Sequence, residues 1–175
     1  TGEEPYSIAI TVLDALEHAG RGADLRILAS DIDTDVLTRA REGVYDDERL
    51  EPLSPMQRHR WFVKQGPGLW RVRDELRAHV TFKRLNLMDD AWPIKSPLDV
   101  VFCRNVMIYF DRETQARIVR HFARHMKPDA LLFLGHSETM MGADIPFRHI
   151  GRTVYRHETQ IPDRAGGPQP GGKPR

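Results

Sequence analysis

Hydrophobic residues along the chain alternate between two spacings, one typical of amphipathic helices and one typical of buried strands. Residues 2–19 place apolar side chains three and four positions apart, which predicts a helix. Residues 25–30 form a short apolar run that predicts a strand, and a second helix follows it, capped by Asp33 or Thr34. The predicted core face of the first helix carries Ile8, Val12, Ala15, Leu16 and Ala19.

The same alternation returns in the second half of the chain. Apolar runs at 80–85, 98–103 and 130–134 predict strands, and the second of them is apolar at consecutive positions, as in a strand covered on both faces. A helix is predicted from about 111 to 126, and residues 147–155 predict a closing antiparallel pair around Gly151. Strands alternating with helices predict an α/β fold with a Rossmann-like, doubly wound sheet. The expected core face of the later helix is Ile118, Val119, Phe122 and Met126.

Residues 45–77 interrupt this alternation. Two short apolar runs flank a Gly/Pro turn at 65–68, which predicts a hairpin. We therefore expect a small inserted antiparallel β-subdomain at about 58–76, within a domain that spans 1–159. The tail at 160–175 is rich in Gly and Pro and lacks apolar anchors, so it is predicted to be disordered.

Composition narrows the class of protein. The chain has 175 residues, and its 26 Lys and Arg balance 25 Asp and Glu to a net charge of +1, without the basic excess typical of nucleic-acid binding. The single cysteine, Cys103, cannot form an internal disulfide, and no apolar run is long enough to insert in a membrane. We expect a cytoplasmic protein. Because the chain starts at Thr1 rather than at a methionine, we also expect that upstream sequence has been removed.

Candidate chemistry lies in the loops that follow the strands, because ligands of doubly wound sheets bind at the carboxyl ends of the strands. Four loops carry polar residues, and Asp31, which ends the strand at 25–30, is suited to accept hydrogen bonds from both hydroxyls of a ribose. This residue favours an adenosine ligand without choosing between cofactors. The four loops contain Gly2-Glu3-Glu4, Asp31-Ile32-Asp33, Asn86-Leu87 and Arg104-Asn105.

The first of these loops bears on the choice of cofactor. A pyrophosphate would be repelled by Glu3 and Glu4, whereas the sulfonium and α-ammonium of S-adenosylmethionine would be attracted. The alternative is that both glutamates only complement the dipole of the helix that begins there.

Other interpretations of individual motifs also remain open. Asp31 and Asp33 resemble an acidic metal site, although one of them serves equally well as a helix cap, and we expect no metal. His121 and His125 are expected to be solvated. His136-Ser137-Glu138 lacks the surroundings of a hydrolase elbow and is interpreted as a turn after a strand, and Cys103 as a small buried residue.

Several stretches together resemble the CheR-type chemotaxis receptor glutamate O-methyltransferases, in the order in which that family carries them. The block around Tyr109 is long and therefore specific. The matching stretches are TGEEPYS at 1–7, ASDIDT at 29–34, NL at 86–87, FCRNVMIYF at 102–110, GHSE at 135–138 and TVY at 153–155.

The resemblance implies a function and a role for each matching residue. S-adenosylmethionine would donate a methyl group to glutamates in the cytoplasmic part of methyl-accepting chemotaxis receptors, leaving S-adenosylhomocysteine. Glu3 and Asp31 would line the cofactor pocket, with Asp31 on the ribose. Asn86 and Leu87 would lie by the adenine, and Arg104 and Asn105 by the middle and methionine end. Tyr109 would be the tyrosine beside the reactive methyl group.

The chain also departs from the family pattern. The family's N-terminal helical domain, its first central strand and an arginine that contacts substrate have no counterpart here, so we expect the isolated fragment to be poorly active. The hairpin turn at 65–68 is short, and we do not expect it to tether a receptor's C-terminal pentapeptide. Two rival functions are a receptor-binding module without turnover and a nicotinamide-dependent oxidoreductase.

Overall fold

The computed structural model describes residues 1–22, 24–95, 97–135, 138 and 145–158. The chain divides into a first unit, Thr1–Asp89, and a second that begins at Asp90. The first unit contains α1 (Glu3–His18), β1 (Ile27–Asp31), α2 (Thr34–Glu42), β2 (Val44–Asp46), α3 (Pro55–Trp61), β3 (Phe62–Gly66), β4 (Leu69–Val72), α4 (Asp74–Arg77) and β5 (Val80–Arg84). The second contains β6 (Leu98–Cys103), a 3-10 turn (Met107–Tyr109), α5 (Arg112–His125), β7 (Met126–Leu134), β8 (Phe147–Gly151) and β9 (Val154–His157).

Each unit contains a parallel strand pair of the kind that the alternation predicted. In the first unit β1 runs parallel to β5, from Ile27 opposite Val80 to Asp31 opposite Arg84. In the second unit β6 runs parallel to β7, and the antiparallel strands β9 and β8 extend that sheet in the order β6-β7-β9-β8. The predicted α/β class is confirmed.

The antiparallel hairpin predicted within residues 58–76 is present in the first unit. β3 and β4 form the predicted hairpin, and Gly68 in its turn has a φ of 68°, a conformation that favours glycine. β2 pairs with the other edge of β4 and makes a three-stranded sheet in the order β2-β4-β3. The sequence did not predict β2, which is only three residues long and follows α2 directly.

The predicted core face of α1 is only partly right, since Ile8, Val12 and Leu16 are half-buried and none of the predicted residues is fully buried. The buried residues of this helix are Tyr6, Ala9 and Ile10, whereas Ala15 and Ala19 are exposed. Tyr6 faces an aromatic cluster, because its ring contacts those of Tyr45 and Phe82. Its hydroxyl donates to the carbonyl of Ala40 at 3.1 Å. Apolar spacing alone misses such an anchor, since a tyrosine carries a polar tip.

Two predictions about the second unit also need correction. His121 is buried rather than solvated, and its ring packs 5.1 Å from that of Trp92. The side chains of Val100 and Phe102 on β6 are exposed, so the described residues cover only part of a strand that was expected to be covered on both faces. In contrast, Ile118, Val119, Phe122 and Met126 are buried as predicted.

Some predictions fall outside the part of the chain that the structure describes. His136, Ser137 and the tail at 160–175 belong to this group. No helix among the described residues has both the length and the apolar character needed to cross a membrane.

Candidate functional site

The carboxyl ends of β1 and β5 bring two of the predicted site segments together. The backbone N–H of Leu85 donates to the carbonyl of Asp31 at 3.1 Å, which continues the pairing of the two strands by one residue. Asn86 and Leu87 follow directly, and both are half-buried. Asp31 and the Asn86-Leu87 segment therefore lie at one edge of this parallel pair.

The two acidic residues at the carboxyl end of β1, Asp31 and Asp33, have different local roles. Asp33 is the N-cap of α2, because its carboxylate accepts hydrogen bonds from the backbone N–H groups of Asp35 and Val36. Asp31 accepts one backbone hydrogen bond, from Asp33 at 3.0 Å, and a carboxylate has acceptor sites for several more. Asp33 is thus committed to capping α2, whereas the side chain of Asp31 keeps most of its acceptor sites for a ligand.

Asn86 shapes the loop after β5. Its side-chain oxygen accepts from the backbone N–H of Met88 at 3.0 Å, and its amide donates to the carboxylate of Asp89 at 3.1 Å. An asparagine that bonds the backbone two residues on forms an Asx turn. Leu87 lies inside this turn.

Glu3 begins α1 and has close partners. Its carboxylate accepts from the Thr1 hydroxyl at 2.7 Å and forms an ion pair with Arg49. Burial alone would raise the pKa of Glu3, but hydrogen bonds from the Thr1 hydroxyl and from its own backbone N–H, together with the terminal ammonium of Thr1, lower it to about 2. Glu3 is therefore ionised at neutral pH, and Arg49 balances its charge.

Gly2 is packed too closely for any side chain. Its φ is 98°, and a Cβ built at this position would lie 2.6 Å from the Tyr45 hydroxyl oxygen and 3.0 Å from the Ala40 Cβ. The Tyr45 hydroxyl donates to the carbonyl of Thr1 at 3.1 Å. The segment that carries Glu3 is thus held against α2 and β2.

The remaining predicted residues lie in one loop of the second unit, directly after β6. Arg104 and Asn105 are exposed, and Asn105 has a φ of 58°, which is a left-handed backbone conformation. Met107 is buried and anchors the 3-10 turn, while the side chain of Tyr109 is 79% exposed.

Glu138 is a residue of this loop region to which sequence reasoning gave no role. It is buried, and its carboxylate accepts hydrogen bonds from the backbone N–H groups of Asn105, Val106 and Met107. The sequence offered only the GHSE stretch as a signal. No local pattern indicates that a carboxylate here binds a loop more than 30 residues earlier in the chain.

Comparison with known proteins relates this arrangement to one family. Residues 1–156 match the family described as CheR methyltransferase, SAM binding domain. A chemotaxis protein methyltransferase of Klebsiella aerogenes is 51% identical over 158 residues, which cover 89% of this chain and 54% of that protein. Chemotaxis protein methyltransferase 2 of Pseudomonas aeruginosa is 48% identical over 158 residues, covering 89% and 56%. The chain thus spans about half the length of these relatives.

Proposed function

The chain belongs to the CheR methyltransferase family, to its S-adenosylmethionine-binding domain, and from that premise we propose that it binds S-adenosylmethionine for the methylation of glutamate side chains on chemotaxis receptors. The observation that carries the proposal is the position of Asp31 and the Asn86-Leu87 turn at the same carboxyl edge of β1 and β5, where Leu85 donates to the carbonyl of Asp31. This edge is where α/β sheets bind nucleotide-containing ligands.

Each predicted residue has a place in this proposal. Asp31, with acceptor sites to spare, binds the ribose hydroxyls, and the Asn86-Leu87 turn lies by the adenine. Arg104 and Asn105 lie by the middle and the methionine end. Glu3 attracts the α-ammonium group less strongly than an unpaired carboxylate would, because Arg49 shares its charge. The proposal therefore depends most on Asp31.

The chemistry asks little of the protein beyond binding and alignment. When bound, S-adenosylmethionine supplies a methyl group activated by the adjacent sulfonium. A receptor glutamate has an ordinary pKa of about 4.3 and is already ionised at neutral pH, so no general base is needed. Proximity and alignment of the two reactants as a whole contribute roughly 7 to 11 kcal/mol in favourable cases, and Tyr109 adds to this by orienting the methyl group or the carboxylate.

The proposed partner is the cytoplasmic part of methyl-accepting chemotaxis receptors, with the enzyme in the cytoplasm. The relatives bear the name chemotaxis protein methyltransferase, which supports a role in that pathway. Capture of a receptor's C-terminal pentapeptide is not part of the proposal, because the β3–β4 hairpin closes through Pro67 and Gly68 alone and offers few side-chain pockets.

Titration calorimetry of the full-length protein with S-adenosylhomocysteine and with NAD⁺ tests the choice of cofactor. We expect saturable binding of S-adenosylhomocysteine and none of NAD⁺, because the acidic Gly2-Glu3-Glu4 segment does not suit a pyrophosphate. Binding of NAD⁺ alone would favour an oxidoreductase and refute the proposal.

The ribose assignment is tested by Asp31→Ala. Hydrogen bonds to a charged group contribute about 1.5 to 3 kcal/mol, so affinity for S-adenosylhomocysteine should fall roughly tenfold or more. Asp35→Ala is the matched control, because Asp35 is an exposed carboxylate four residues away in the first turn of α2. Equal affinities of the two variants would remove Asp31 from the pocket.

A further inference from the structure

The loop that carries Tyr109 closes around a carboxylate of the protein itself. Glu138 accepts the backbone N–H of Asn105 at 3.0 Å through Oε2, and those of Val106 and Met107 at 2.8 Å each through Oε1. The backbone N–H of Gly135 donates to Oε2 at 2.6 Å. One buried side chain therefore receives four backbone hydrogen bonds, three of them from consecutive residues.

This arrangement is an anion-binding nest that the protein fills internally. Successive backbone N–H groups converge on one point when the chain passes through a left-handed residue, and Asn105 has a φ of 58°. An ionised carboxylate has about four acceptor positions and no donor, which matches four converging N–H groups. A neutral amide would put a donor where the nest needs an acceptor.

The close approach requires a glycine at the end of β7. A Cβ at Gly135 would lie 2.5 Å from Oε2 of Glu138 and 3.0 Å from Oδ1 of Asn105. Gly135 follows Leu134, which pairs with Cys103 at the end of β6. The nest thus lies just beyond the carboxyl ends of the parallel strands β6 and β7.

The carbonyl groups of the same loop are held from its other side. Nε2 of Gln115, on α5, donates to the carbonyl of Met107 at 2.9 Å and to that of Phe110 at 3.0 Å. These two carbonyls flank Tyr109, whose side chain is 79% exposed. Because so little of the ring is packed, the backbone on either side of it sets its position.

We propose that Glu138 is a positioning residue, which fixes the loop 104–110 and so the direction of Tyr109, with Gln115 as its counterpart on the carbonyl side. This inference rests on the proposed function for the role of Tyr109. The hydrogen bonds of Glu138 do not depend on that function, so the experiments below can refute the positioning role and the proposed function separately.

Hydrogen exchange tests whether Glu138 holds the loop 104–110, and the experiment needs no ligand. In Glu138→Gln, exchange of the amides of Asn105, Val106 and Met107 should accelerate about tenfold or more, since the remaining oxygen is uncharged and the new NH2 group faces N–H donors. Amides in the centre of β7 should keep their protection. Glu113→Gln, an exposed glutamate on α5, is the matched control. Unchanged exchange at the three amides of Glu138→Gln would overturn the proposal.

Turnover separates positioning from a merely structural role. In the full-length protein, kcat of Glu138→Gln should fall about tenfold, the equivalent of 1.4 kcal/mol, with a smaller change in KM for the receptor substrate. Glu138→Asp keeps the charge and should recover part of the lost kcat. A lower melting temperature with normal kcat per folded molecule would overturn the proposal.

Gln115→Leu keeps the proposal testable if Glu138→Gln fails to fold. Leucine fills a similar volume on α5 but cannot donate to the carbonyls of Met107 and Phe110. We expect a lower kcat with unchanged affinity for S-adenosylhomocysteine, and a normal kcat would count against positioning. If the unsubstituted protein does not bind S-adenosylhomocysteine, the proposed function fails. The hydrogen-exchange result still shows whether Glu138 holds the loop 104–110.

Discussion

At the scale of single residues, Tyr109 is so exposed that a substitution can test its role in catalysis without disturbing the packing of the core. A tyrosine that is 79% exposed contributes little to the core, so Tyr109→Phe should leave the melting temperature unchanged. If its hydroxyl aligns the reacting groups, kcat should fall roughly tenfold, because the loss of one hydrogen bond costs about 1 kcal/mol. The affinity for S-adenosylhomocysteine should stay the same. Steady-state kinetics, calorimetry and thermal melting on one variant test this prediction.

Tyr6→Phe removes the same hydroxyl from a buried position and serves as the control. The Tyr6 hydroxyl donates to the carbonyl of Ala40 at 3.1 Å, so its loss should lower the free energy of unfolding by about 1 kcal/mol with kcat unchanged. If Tyr109→Phe also kept its full kcat, Tyr109 would have no catalytic role.

At the scale of elements, the start of α1 depends on the absence of a side chain at Gly2. Gly2→Ala combines a strained φ of 98° with a clash against Tyr45, 2.6 Å from the added Cβ. The strain costs about 1 to 3 kcal/mol, and the overpacking adds a similar amount. Urea denaturation should show a loss of roughly 2 to 6 kcal/mol, together with weaker cofactor binding, because Glu3 is the next residue.

Gly20→Ala separates the two causes of that loss. Gly20 also has a positive φ, 61°, but no atom lies within 4 Å of its would-be Cβ. Its replacement should cost only the strain, about 1 kcal/mol. Equal losses for the two variants would show that the contact with Tyr45 contributes nothing.

At the scale of the whole molecule, the burial of His121 makes the stability of the second unit depend on pH. Burial lowers the pKa of His121 below its ordinary value of 6.5, and the charges of Arg124, His125 and Arg117 lower it further, while Asp90 acts in the opposite direction. The unfolded chain therefore binds a proton more readily than the folded one does. Stability should fall as pH drops through about 6.5.

Melting temperatures at pH 7.5 and pH 5.5 test this dependence. His121→Gln keeps a polar side chain of similar size beside Trp92, but glutamine does not bind a proton in this pH range. The difference between the melting temperatures at pH 7.5 and pH 5.5 should therefore be smaller in this variant. His59→Gln, at an exposed position on α3, should keep the full difference. An unaltered difference in His121→Gln would assign the pH dependence to other groups.

The sequence by itself determined the order and class of the main strands and helices, although not of β2, α3 and α4, because the spacing of apolar residues along a helix or strand is a local property of the chain. It also placed the loops that carry Asp31, Asn86 and Tyr109, since each follows a recognisable apolar strand. The cap of α2 was equally local, because Asp33 bonds N–H groups within three residues.

Only the tertiary structure decided which faces and partners these elements use. The buried face of α1 follows Tyr6, whose hydrogen-bond partner Ala40 lies 34 positions away, and His121 is buried because Trp92 packs on it. The contacts of Glu138 with the loop of Tyr109 span 31 to 33 positions. A carboxylate that satisfies backbone groups so far along the chain leaves no periodic signal, because its role depends on where the fold places those groups.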